Sequence, residues 1–156
     1  NSRGDSGTTS RVLRTFITWL SEKTAPVFVV STANNFDVLP VELVRKGRFD
    51  ETFFLALPNI KERESIFNVH LRKVRPTSLN SYQFELLSTV TKNFSGAEIE
   101  QVVIEAMRVG FNEKREFNME DLLNVIQKSV PLAKTKNKEL QKLKEWADSG
   151  NISLAS

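Results

Sequence analysis

Val27-Phe28-Val29-Val30-Ser31-Thr32-Ala33-Asn34-Asn35 opens the stretch on which the reading of the fold turns, and Phe53-Phe54-Leu55-Ala56-Leu57 closes it. Both contain apolar residues in unbroken succession rather than alternation, the pattern of strands buried on both faces of a parallel sheet. Ala25-Pro26 precedes the first run and Pro58-Asn59 follows the second, so each is bounded by a breaker. Between them, Ser31 to Asp50 reads as loop with a short helix at Val41–Val44. Upstream, Val12, Leu13, Phe16, Ile17 and Leu20 recur at helical spacing, with Ser10 as the expected N-cap. Asn1–Ser10, rich in Gly, Ser and Thr, reads as a mobile loop. Two strands alone do not make a stable buried sheet. Either the remaining strands of residues 1–58 lie upstream in a longer chain, or these runs are not strands.

Beyond Pro58 the period is helical throughout. Asn59 with Glu62 makes a capping-box start, and Ile66, Phe67, His70 and Leu71 follow on one face. A second helix carries Phe84, Leu87 and Val90. A third starts at Ser95-Gly96-Ala97-Glu98, another capping box, and continues with Ile99, Val102, Val103, Ala106 and Met107. A fourth starts at Asn118, carries Leu122, Val125 and Ile126, and stops before Pro131. A Lys-rich helix is expected over Asn137 to Ala147, with Leu140, Leu143 and Trp146. The expected fold is therefore α/β over residues 1–58, an all-α four-helix unit over 59–130, and a Lys-rich helix and tail over 131–156. Each helical stripe is too short to hold without packing, so Ile66, Phe67, Leu87, Val102, Val103 and Val125 are expected to share one core.

Composition narrows the classes of function. The chain has 156 residues, 40% hydrophobic and 26% charged, ordinary values for a globular protein. It has no cysteine, which excludes disulfide scaffolds and thiolate metal sites, and a single histidine, His70, which argues against a histidine-built one. No apolar run approaches the ~20 residues of a membrane span. Residue 1 is Asn and no secretory leader follows, so a cut or processed chain is expected. The formal charge is +3, and Lys134–Glu145 alone holds five Lys against two Glu, so the excess sits in the tail. The rest of the chain is balanced, which argues against a nucleic-acid binder coated in positive charge.

Four places could carry chemistry. Asn34 lies just past the carboxyl end of an expected buried strand, where open α/β sheets place their ligands. Its amide could orient a water or contact a phosphate oxygen, though taken alone it reads as a turn residue. Arg45 and Arg48 flank Gly47 in Arg45-Lys46-Gly47-Arg48-Phe49-Asp50, a loop whose guanidinium groups suit phosphate bidentately. By itself the loop reads first as a solvated basic turn, with Arg48 and Asp50 pairing locally. His70 sits on an apolar helix face, where a histidine is usually packed, and where it could also meet a planar base or ribose. Gly96 and Ala97 open a capped helix with small side chains, which permits close approach of a ligand ring.

The order and spacing of these signals are more specific than any one of them. VFVVSTANNFDVLPVELVRKGRFD at 27–50, LPNIKERESIFNVHL at 57–71 and NFSGAEIEQVVIEA at 93–106 resemble the C-terminal half of the AAA ATPase module, the end of its nucleotide-binding domain and its helical lid. The family places eleven positions between a post-strand Asn and the first Arg of R-x-G-R-F-D, and Asn34 to Arg45 matches that step. The resemblance implies a partial P-loop NTPase-type parallel sheet followed by the lid. It implies that Asn34 senses the γ-phosphate and helps place the attacking water. It implies that Arg45 and Arg48 reach the nucleotide of a neighbouring subunit as arginine fingers, and that His70, Gly96 and Ala97 line the adenine and ribose pocket. It further implies ATP and Mg²⁺ as cofactors, a homo-oligomeric ring, a hexamer in most members, and a protein client. The Ser6–Leu13 start, Phe16-Ile17-Thr18-Trp19-Leu20 and the Trp146–Ser156 ending resemble plastid-encoded AAA proteins of algae, with cyanobacterial relatives, which implies the chloroplast stroma.

No G-x-x-x-x-G-K-[ST] and no apolar run ending in paired acids occurs, so the phosphate loop, its Lys and the Mg²⁺ ligands are expected outside this chain. The chain alone is therefore expected to be inactive. The competing reading from the residues is a small helical module that binds protein or nucleic acid, although no helix interleaves Arg or Lys with aromatics as single-strand binding favours. An AAA module of a membrane protease has no support, since no H-E-x-x-H follows the lid.

Overall fold

The computed structural model describes residues 5–33, 43, 49–146 and 153–154. The described chain is mostly helical and falls into two compact units, one of residues 1–54 with 146–155 and the other of residues 55–145.

In the first unit, α1 runs over Asp5–Glu22. It begins earlier than the sequence suggests. Ser10 lies inside the helix rather than capping it, and Asp5–Ser10 is helix rather than loop. Leu20 is buried and Phe16 stacks on Trp19 with ring centroids 5.9 Å apart, while Val12 on the same stripe is exposed. The buried parallel sheet is where expectation and structure part. Val27–Val30 adopts no strand, and Phe28 is 93% exposed. The second run forms only β1, Phe53–Phe54, which pairs in parallel with β2, Ser153–Leu154, in the register Phe53 to Ser153 and Phe54 to Leu154. The physical reason is that a fully apolar strand needs a hydrogen-bonded neighbour on each edge and a covering layer on each face. Among the described residues, β2 is the one strand that supplies an edge.

The second unit is built from local starts. Helix α2 spans Ile60–Val74, α3 Phe84–Val90, α4 Gly96–Asn112 and α5 Met119–Lys128. A 3₁₀ turn at Leu79–Ser81 joins α2 to α3. The shorter α6, Leu132–Thr135, and then α7, Asn137–Trp146, follow. Asn59, Ser95 and Asn118 each cap a helix, each closed reciprocally by the acid three residues on, Glu62, Glu98 and Asp121. A box of this kind satisfies two of the donors that a helix start leaves without partners. Helix α2 packs on α3 and α4, and α4 on α5. The core gathers Phe67, Leu71, Leu87, Ile99, Val102, Val103 and Leu122, with Ile66 and Val125 packed against it, as the helical stripes predict. Each such side chain contributes about 1.5–3 kcal/mol on full burial.

Three features inside this unit have no sequence signal. Arg63 is buried, and its guanidinium donates from Nε to the Ser88 carbonyl at 2.9 Å and from Nη1 to the Pro58 carbonyl at 2.6 Å. It thereby joins the entry to α2 with the end of α3. Gly110 lies under the α4–α5 turn, where an added Cβ would stand 2.7 Å from the Phe117 nitrogen and 2.9 Å from the Arg115 carbonyl. Arg115 grips Asp121 with two hydrogen bonds of 2.6 and 2.8 Å.

Candidate functional site

The described part of the expected site is the seam between α2 and the first turn of α4. Ile66 and His70 stand one turn apart on α2. Ile66 Cδ1 would lie 3.7 Å from a Cβ at Gly96, an ordinary contact, and His70 Nδ1 lies 3.6 Å from Glu100 Oε1. Gly96 and Glu100 are themselves one turn apart on α4. The two helices thus meet in two rungs, Ile66 against Gly96 and His70 against Glu100. His70 thus faces Glu100, one turn along α4 from Gly96, while the residue that faces Gly96 itself is Ile66. The His70 side chain keeps 18% of its surface, neither sealed in the core nor free in solvent, and Ala97 is exposed. Asn34, Arg45 and Arg48 lie outside the described residues.

Chemically, the seam offers an imidazole, a carboxylate and a helix start with almost no side chain. Glu100 puts an acceptor beside His70, so the seam suits a ligand edge that carries N–H or O–H donors, as a ribose or an aminopurine does. A phosphate would meet the Glu100 charge there. The sequence reading missed Glu100, which no local pattern sets apart from the other exposed acids.

The turn itself is held by Glu98. Its Oε2 accepts from the Ser95 N–H and from the Ser95 hydroxyl, both at 2.7 Å, and its Oε1 accepts from the Leu132 N–H at 2.6 Å. Partial burial pushes this carboxyl up, but the hydrogen bonds from Ser95 and Leu132 outweigh it and hold the pKa below its ordinary value. No group of His, Cys, Asp and Glu that could hold a metal ion occurs among the described residues.

Residues 1–57 match the model of the ATPase family associated with various cellular activities (AAA). Over these residues the chain is thus similar to that family. Over its full length it is 59% identical to the Uncharacterized AAA domain-containing protein ycf46 of Guillardia theta, covering 31% of that protein. To the protein of the same description in Pyropia yezoensis it is 56% identical, again over the whole chain and over 32% of the relative. A more distant likeness, 35% identity over 103 residues, is to the Proteasome-activating nucleotidase of Sulfurisphaera tokodaii, covering 65% of this chain and 26% of that protein. The chain thus spans about a third of the length of the curated relatives that it matches throughout. No helix among its described residues is long and apolar enough to cross a membrane.

Proposed function

We propose that this chain is the distal part of an AAA ATPase, and that its α2–α4 seam receives the adenine and ribose of ATP. The observation that carries the reading is the meeting of α2 with the first turns of α4 through Ile66 against Gly96 and His70 against Glu100, in a sequence similar over its whole length to AAA domain-containing proteins. The donor set supports the sugar and base end of the nucleotide rather than its phosphates. In this reading residues 1–58 complete the nucleotide-binding α/β domain, residues 59–130 are its lid, and residues 131–156 form a Lys-rich C-terminal extension. The buried parallel sheet belongs to the whole domain, whose other strands would come from the rest of the protein.

Asn34 would hold the attacking water near the γ-phosphate. Arg45 and Arg48 would reach the nucleotide of the next subunit in a homo-oligomeric ring, where a guanidinium meets the charge that builds on the transferred phosphoryl group. Mg²⁺, with ligands outside this chain, supplies charge neutralisation at the phosphates. Turnover would drive remodelling of a protein client. The algal relatives support a plastid location, and the stroma is the compartment we assign.

The test is ATP affinity in the full-length protein. His70→Ala is expected to raise Kd about tenfold, the equivalent of one lost hydrogen bond or ring contact. Ala97→Glu, at an exposed position, adds a charge and bulk on the ligand side and is expected to weaken binding at least as much. Wild-type affinity in both variants, with the fold intact by circular dichroism, would remove the seam from the nucleotide site.

A further inference from the structure

Glu98 is shared between two parts of the chain that are far apart in sequence. One carboxylate oxygen closes the capping box that shapes the Gly96-Ala97 turn, and the other accepts the Leu132 N–H, 34 residues away, at the first position of α6. Leu132 therefore has a donor satisfied by the carboxylate that also fixes the candidate ligand turn. Pro131 precedes it in extended geometry, with φ −58° and ψ 136°, so the start of α6 is presented rigidly to Glu98.

We infer that Glu98 is a positioning residue that couples docking of the C-terminal extension to the shape of the Gly96-Ala97 turn. The inference deepens the nucleotide reading and rests on it for the identity of the ligand, but the tie itself exists without one. A ligand that orders the turn fixes Glu98, and a fixed Glu98 holds the Leu132 N–H. By reciprocity, a docked α6 favours the ligand-ready turn. Release of α6 frees one carboxylate oxygen, leaving the turn held by the Ser95 hydrogen bonds alone.

Leu132→Pro isolates the tie. Proline fits the first position of a helix, where its missing N–H costs no internal bond, and an extended residue such as Pro131 suits the position before it. The substitution removes one donor and leaves Glu98 and its capping box untouched. Leu132→Ala, which keeps the N–H and removes the exposed side chain, is the control. In the full-length protein without nucleotide, Leu132→Pro is expected to speed amide exchange at Ser95 and at Lys136, whose N–H donates to the Leu132 carbonyl, while Leu132→Ala leaves the Ser95 rate unchanged. With ATP, Leu132→Pro is expected to raise Kd about fivefold or more, the lower range of coupling between two sites, and to abolish any slowing of exchange at Lys136 caused by ATP. Unchanged Ser95 exchange in Leu132→Pro overturns the tie whatever the ligand. Absence of ATP binding in the wild-type protein overturns the nucleotide reading and leaves the exchange result to decide the tie.

Discussion

Gly110 shows how a single position can reverse a general rule. Inside an exposed helix, Gly→Ala adds roughly 1 kcal/mol of stability. Here the new methyl would stand 2.7 Å from a backbone nitrogen and 2.9 Å from a backbone oxygen, neither of which can swing aside. Gly110→Ala is therefore expected to destabilise the helical unit by about 1–3 kcal/mol, the usual range for overpacking, as read from the urea midpoint. Asp121 is the second telling residue. Hydrogen bonds from Arg115, helped by the Asn118 N–H, hold its carboxyl below its ordinary pKa against the opposing effect of burial. A carboxyl that binds protons less readily folded than unfolded stabilises the fold above its unfolded pKa, and that contribution is lost as pH falls through the folded value. Stability is thus expected to drop on acidification below the ordinary carboxylate range, about pH 4. In Asp121→Asn the neutral-pH stability should be lower and the acid-side slope shallower, which urea titrations at pH 7 and pH 3 would measure. The equal acid slope in both proteins is the result that would discount the Arg115 pair. Neither residue stands out in the sequence. Gly110 is one glycine among apolar helix residues, and Asp121 reads only as part of a helix start.

Helices and strands were legible to different degrees, for a reason of range. Asn59 with Glu62 and Ser95 with Glu98 announce helix starts because both partners of each box lie within four residues. Phe67, Leu71, Val102 and Val103 announce the core face because the helix period is local too. Val27–Val30 announces only that its neighbours must be apolar, and what those neighbours are is decided by residues far away. The same holds for Arg63, whose partners are Pro58 before α2 and Ser88 on α3, and for Leu132, whose reach to Glu98 no periodicity encodes. Of the candidate site, the α2–α4 seam could be found from His70 and the Gly96-Ala97 turn, whereas Glu100 could not be ranked above any other exposed acid. This division predicts which part stands alone. A peptide of residues 55–145 is expected to unfold in one cooperative urea transition followed by far-ultraviolet circular dichroism. The emission of Tyr82, buried beside Phe117 at 5.9 Å between ring centroids, should change over the same range. A broad, non-cooperative loss of helix would mean that the unit depends on the rest of the chain.

At the scale of the whole molecule, the proposed chemistry divides between subunits. Arg45→Ala in the full-length protein is expected to lower ATP turnover about a thousandfold or more while leaving nucleotide affinity nearly unchanged, since such an arginine acts on transition-state charge. Asn34→Ala should slow turnover within its own subunit, so mixed rings of the two inactive variants should recover part of the activity. Turnover at the wild-type rate in Arg45→Ala would end the finger role. The three capping boxes have a last consequence, which concerns time. A helix whose first turn is closed by residues three apart needs no distant segment to tell it where to begin, and α2, α4 and α5 all begin this way. Chains dominated by near-neighbour contacts cross their folding barrier in microseconds to milliseconds, whereas a ribosome adds only about 5–20 residues each second. Once its helices are free of the ribosome, the helical unit can therefore assemble in less time than the addition of one residue takes.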